Sequence, residues 1–204
     1  MTNALIREIV TLEWQMFDRV QNQGGRASCQ DDWETFSIMR ASQLSAWSED
    51  TLEAYQVDLL TAKAAGRNLL QEKYAYMMES TAPEEFARIR HLLPVVEPER
   101  CKLIDTVAAM QIGEMEILAA QYPHVAATMR PLRSRFDSPF CTSFETYLKG
   151  ELCTYSLQTL MCYHAQLQRL DANYSYAVLN QTALQYGCSS LEELEYLLKC
   201  GKIQ

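Results

Sequence analysis

The side chains in this sequence that could do chemistry are charged or polar residues planted in apolar helical stripes. Along GGRASCQDDWETFSIMRASQLSAW, residues 24–47, Trp33, Phe36, Arg40, Gln43, Leu44 and Trp47 recur at three- and four-residue steps and share one helix face. Arg40 and Gln43 therefore stand inside an apolar stripe. Burying an unpaired guanidinium costs on the order of several kcal/mol, so a carboxylate must meet it. Glu13 is the natural counterpart: it is the odd member of a face made by Ile6, Ile9, Met16, Phe17 and Val20, and arginine and carboxylate pair as a bidentate fork. Glu151 lies beside a second such face, formed by Phe144, Leu148, Leu152, Tyr155 and Thr159, and precedes Tyr155 by four residues. That spacing lets carboxylate and phenol face one pocket. Arg26 follows the two glycines of the first stretch, and Arg130, Arg133 and Arg135 fall together in RPLRSRFDSPFCT, residues 130–142. Guanidiniums on a loop suit an anion clamp, although the simpler and favoured reading is that they neutralise nearby acidic helices.

Two functions of different class follow from this set. In the first, Glu13, Arg26, Arg40, Gln43 and Arg133 bind a small anionic or zwitterionic molecule, and Glu151 and Tyr155 serve as catalytic acid/base or orienting groups. In the second, the chain is a non-catalytic helical interaction module, and the polar cluster is a structural network that gives its helices one register. The first predicts a concave pocket lined by these residues, the second an exposed apolar patch without a deep pocket. The sequence leaves open whether the chain is an enzyme, and it names no cofactor.

Other chemistries find less support. A di-iron bundle needs Glu-x-x-His pairs, but the residues three positions before His91, His124 and His164 are Arg88, Gln121 and Met161. HExxH and paired cysteines at zinc spacing are absent, which leaves only an all-carboxylate site from Glu13, Glu72, Glu79 and Glu151 as a remote metal alternative. Cys29 is the candidate nucleophile, at a helix start beside Arg26, although Asp31 and Asp32 oppose a lowered thiol pKa. No GxGxxG or GK[ST] phosphate loop occurs.

The composition sets the class. Apolar residues make up 48% and charged residues 22%, with seven glycines and six prolines, which suits a helical globular protein rather than a many-turned β architecture. The 18 basic residues fall short of the 26 acidic ones, giving a net charge of −8. Nucleic acid is therefore not the expected partner. No apolar run reaches the ~20 residues of a membrane span, and no basic amphipathic face suggests a membrane surface. Seven cysteines without CxxC pairs point to reduced thiols and a cytoplasmic location. A protein partner or a homo-oligomer stays open.

The elements that must position these side chains are helices. The expected fold is all-α: one domain over residues 1–204, a bundle of about seven or eight helices. Periodicity places helices over residues 3–21 and from a Ser28-x-x-Asp31 cap through Trp47. A third runs from Ser48 to about residue 79, either bent or broken at Gly66. A short one follows from Thr81-x-x-Glu84 to Leu93, then a longer one over 98–121 and a shorter piece over 124–129. Thr142-x-x-Glu145 opens what reads as the longest helix, to about Leu170. The last two run from Ala172 to Tyr186 and from a Ser189-x-x-Glu192 cap to Gly201.

Three stretches carry a resemblance. GGRASCQDD with the following TFxIMRxSQxxxW, then SFETYLKGELxTYS with TL at residues 143–160, and SLEELE at 190–195, resemble the bacterial domain-of-unknown-function family 4125. The resemblance spans most of the chain. It implies a small, mostly helical, cytoplasmic bacterial protein and no established reaction.

Overall fold

A computed structural model describes residues 2–22, 24–169 and 173–202. Eleven α-helices occupy them, more than the seven or eight expected: α1 Thr2–Phe17, α2 Trp33–Ser45, α3 Glu49–Ala64, α4 Leu69–Thr81, α5 Pro83–Ile89, α6 Pro98–Gln121, α7 Pro123–Ala127, α8 Phe144–Leu152, α9 Leu157–Arg169, α10 Tyr174–Gln185 and α11 Leu191–Lys199. Among the described residues there is no named strand, only a bridge between Ser138 and Cys141. The all-α class stands.

Most of the surplus in helices arises from two breaks. The stripe after Ser48 divides at Gly66, which adopts φ +69°, a left-handed conformation open to glycine. Asn68 then caps α4, accepting from Gln71 N, and donates from Nδ2 to Met16 O, which ties the break to α1. The second break divides the helix expected to run to Leu170, a boundary that lies outside the described residues, as does the expected start at Ala172. Here the pattern is helical throughout, and distant side chains make the interruption tolerable. Arg100 of α6 donates from Nη2 to the carbonyls of Cys153 and Tyr155, each at 2.7 Å. Asp58 of α3 accepts from Ser156 N and Thr159 Oγ1 at the start of α9. The freed backbone groups thus find partners that local spacing cannot reveal. The 24-residue α6 is consequently the longest described helix.

The caps follow the expected chemistry only in part: Ser48 caps α3 as expected, whereas α5 starts from Ala82 with no side-chain cap, so Thr81 does not serve. Asp32, four residues beyond Ser28, accepts from Thr35 N, while Ser143 and Ser190, each one residue beyond Thr142 and Ser189, accept from Thr146 N and Glu193 N. At α8 and α11 each cap candidate sits beside another of similar chemistry (Thr142-Ser143, Ser189-Ser190), so sequence alone gives the cap there but not its register. Ser28 instead opens a 3-10 turn, Ser28–Asp31.

The core is continuous. Ile9, Leu44, Leu52, Leu59, Val107, Leu152 and Leu160 have no measurable exposure and belong to one apolar cluster drawn from eight of the helices. Helix α1 packs on both α2 and α3, α4 lies against α1 and α8, and α6 lies across α8, α9 and α10. No described helix is long and apolar enough to cross a membrane.

Candidate functional site

Five helices converge on one buried polar cluster. Glu13 of α1 has no exposure, Arg40 of α2 has 8%, Lys73 of α4 has 3% and Glu151 of α8 has 5%. Arg40 grips Glu13 as a fork, with Nε donating to Oε2 at 2.8 Å and Nη2 to Oε1 at 2.5 Å. Its Nη1 donates to Gln43 Oε1 at 2.6 Å and to Glu151 Oε1 at 3.0 Å. Lys73 Nζ reaches the other Glu151 oxygen at 2.5 Å. Two phenols complete the set: Tyr55 of α3 donates to Glu13 Oε1, and Tyr155, three residues beyond the end of α8, donates to Glu151 Oε1, each at 2.7 Å.

Glycine brings Lys73 and Glu151 together. A Cβ on Gly150 would stand 2.6 Å from Met77 Cγ and 3.0 Å from the Lys73 carbonyl oxygen, so α8 lies against α4 with no room for a side chain there. The next residue, Glu151, is thereby delivered to the Lys73 ammonium. The same ammonium lies 3.6 Å over the Tyr147 ring, a cation–π contact.

Burial and charge act against each other here. Burial alone would push the Glu151 carboxyl up, but Arg40 and Lys73 outweigh it and hold the group well below the usual carboxylate range. Burial likewise works against the charge on Arg40, yet Glu13 and Glu151 raise it well above its ordinary value. The phenols move the other way: burial, joined by the adjacent carboxylates, raises Tyr55 and Tyr155 well above 10. The cluster thus sets two acidic side chains, Glu13 and Glu151, against two basic ones, Arg40 and Lys73, beside two phenols that stay protonated. Its net charge is zero.

Of the residues singled out in the sequence, Glu13, Arg40, Gln43, Glu151 and Tyr155 meet in this cluster. Arg26 and Arg133 do not. Arg26 is exposed and knits the α1–α2 connection, donating to Asp18 Oδ1 and O, to Asp31 Oδ1 and to Gln30 O. The conspicuous GGRASCQDD stretch is largely consumed in the same way: Gln30 is 1% exposed, and its Nε2 donates to Phe17 O and Val20 O. Arg133 pairs with Glu116 at 2.7 Å on the surface, Arg130 lies over the Tyr147 ring, and Arg135 lies over the Phe136 ring. The three loop arginines thus point to separate partners. Glu72 is taken up by Arg67, and Tyr76 donates to Pro94 O, so these two and the exposed Glu79 serve the surface rather than the cluster. Cys29 is exposed on the 3-10 turn, and His124 is engaged with Glu195 at 2.7 Å.

Lys73 and Tyr55 are the members that spacing arguments passed over. Each had a signal. Lys73 falls at i+4 between Leu69 and Met77 on the buried face of α4, where a cation needs a partner, and Tyr55 stands between Leu52 and Leu59 in the stripe of α3.

Two concavities lie elsewhere. A small apolar hollow of about 30 Å³ is lined by Met115, Leu118, Tyr122, Val125 and Leu179, among others. An open groove of about 420 Å³ between α1 and α3 is lined by Arg7, Glu8, Thr11, Leu12, Gln56 and Leu60. Neither includes a member of the polar cluster.

A family model described as "Protein of unknown function (DUF4125)" matches residues 3–196. No curated protein and no solved structure matches the chain.

Proposed function

The chain belongs to the DUF4125 family, and we propose that it works as a non-catalytic, cytoplasmic bacterial interaction module, one helical domain whose buried charges fix the helix register. The observation that carries this reading is the balance within the cluster. Glu13 and Glu151 answer Arg40 and Lys73 charge for charge, and each carboxylate accepts three hydrogen bonds. No positive charge is left over to hold an anion. A buried network satisfied in this way selects one arrangement of α1, α2, α3, α4 and α8, because any slip strands a charge in the apolar interior. All seven cysteines are free thiols, which agrees with a reducing compartment.

The rival reading is a site for a small anionic or zwitterionic molecule, and Gln43 favours it by lying half-buried at the edge of the cluster beside Arg40. Native mass spectrometry of protein purified without added ligand, with elemental analysis, separates the two. The module reading expects a mass free of small molecules and metal. A co-purifying anion that disappears in Gln43→Leu, a substitution that leaves the ion pairs in place, would overturn it.

A further inference from the structure

Two loops of this acidic chain break its general pattern, and both are fastened to one face of α4. Tyr76 Oη donates to the Pro94 carbonyl at 2.7 Å, and Ser80 Oγ donates to Asp137 Oδ2 at 2.5 Å. Positions 76 and 80 are one helical turn apart on the same side, so the segments around Pro94 and Asp137 are held as neighbours. What they display is unusual for surface loops. Phe140 is 99% exposed, Val95 78%, Leu92 72% and Phe136 55%. Segments 88–97 and 130–142 also carry five arginines against Glu97 and Asp137, a local excess of three positive charges in a chain of net charge −8.

The display is built rather than loose. Ser138 and Cys141 exchange backbone hydrogen bonds at 2.8 and 3.2 Å, which puts Pro139 and Phe140 at the tip of a tight turn. Asp137 anchors that turn, accepting from Ser143 N and Thr146 Oγ1 as well as Ser80, so its charge is spent inward. Arg90 and Arg135 are exposed and make no ion pair among the described residues, whereas Arg133 is taken by Glu116. A phenyl ring held out in water on a pinned turn loses little conformational freedom on docking, the condition under which an aromatic anchor adds most to affinity.

We propose that the 92–95 and 135–140 loops form the docking surface for an acidic amphipathic segment of another protein, whose apolar face covers Phe140, Phe136, Leu92 and Val95 while its carboxylates meet Arg90 and Arg135. This rests on the interaction-module reading and names its partner class. Charge decides the occupant. A two-fold contact between identical copies would set arginine-rich loop against arginine-rich loop, and isologous interfaces repeat the same surface on both sides. An acidic helix of different sequence complements both the charge and the apolar ridge.

The test is selection of a displayed library of random peptides, long enough for four to five helical turns, on the immobilised full chain. Winners are then resynthesised and titrated by fluorescence anisotropy. Winners should carry Asp and Glu with apolar residues at three- and four-residue spacing, and their binding should weaken as salt rises. Affinity should fall about tenfold or more in Phe140→Ser and in Arg135→Glu; both positions are exposed, so circular dichroism should be unchanged. Neutral or basic winners, or winners indifferent to both substitutions, overturn the surface assignment and leave the module reading standing. Co-sedimentation with vesicles of phosphatidylserine and phosphatidylcholine that depends on Phe140 overturns it in favour of a lipid surface. A dimer that becomes a monomer in Phe140→Ser overturns it in favour of self-association.

Discussion

Glu151 serves two cations at once, and that sharing dictates what its neighbours tolerate. Lys73→Met leaves the cluster with one unanswered negative charge, and Glu151→Gln leaves it with one unanswered positive charge. Each should cost about 3–5 kcal/mol in urea unfolding, the range for breaking a buried pair. The double variant leaves only Glu13 with Arg40, a balanced pair, so its cost should fall clearly below the sum of the singles; additivity in the double-mutant cycle would show that the charges act independently. Arg40→Lys should not rescue, because an ammonium cannot span both Glu13 oxygens. The pH dependence has a definite sign. Since the folded carboxyl of Glu151 is depressed, its contribution is complete above the unfolded carboxylate range, about pH 4–5, and is lost as pH falls through the lower folded value. The raised phenols Tyr55 and Tyr155 act in the opposite window. Their contribution is intact below the unfolded phenol pKa, about 10, and is lost above it. Absorbance at phenolate wavelengths should therefore show these two ionising only together with alkaline unfolding.

Between elements, the α4–α8 contact is the most demanding. Gly150→Ala places a Cβ against Met77 Cγ and the Lys73 carbonyl oxygen. The thioether can swing aside, but the carbonyl belongs to α4 itself, so the helices must part and the Lys73–Glu151 pair must stretch. Overpacking of this kind costs about 1–3 kcal/mol. Thermal denaturation should show that loss for Gly150→Ala, and Gly150→Ala/Met77→Ala should not recover it fully; full recovery would place the strain in the side chain alone. The α8–α9 break is the other element-scale device. Replacing Asp58 with Ala removes acceptors from Ser156 N and Thr159 Oγ1, and loss of a cap costs about 1 kcal/mol.

Across the whole molecule, stability should be uneven. The cluster binds α1, α2, α3, α4 and α8 into one unit, while α11 packs chiefly on α7 and α10. Its Glu195 caps α7, accepting from His124 N and Val125 N. Amide exchange should therefore show α7 and α11 opening together at a lower free energy than the five-helix unit. Equal protection throughout would mean that the chain unfolds as one body.

The sequence by itself determined what depends on neighbours a few residues apart. The all-α class, the span of α6 and the presence of Arg40 and Glu13 on apolar faces all follow from three- and four-residue spacing, and burial demanded that such charges be paired. Cap chemistry was legible at α3, α8 and α11, though doubled cap residues hid the register of the last two by one position. The tertiary structure decided whatever depends on residues far apart in the chain. Lys73 and Glu151 are 78 positions apart, and no local pattern says that Gly150 lets their helices close. Nothing in the helical stripe through Tyr155 shows Arg100 and Asp58 arriving to sustain a break. Arg26 and Arg133 went to nearby surface carboxylates for the same reason: spacing places a charge on a face, and only packing chooses which opposite charge it meets.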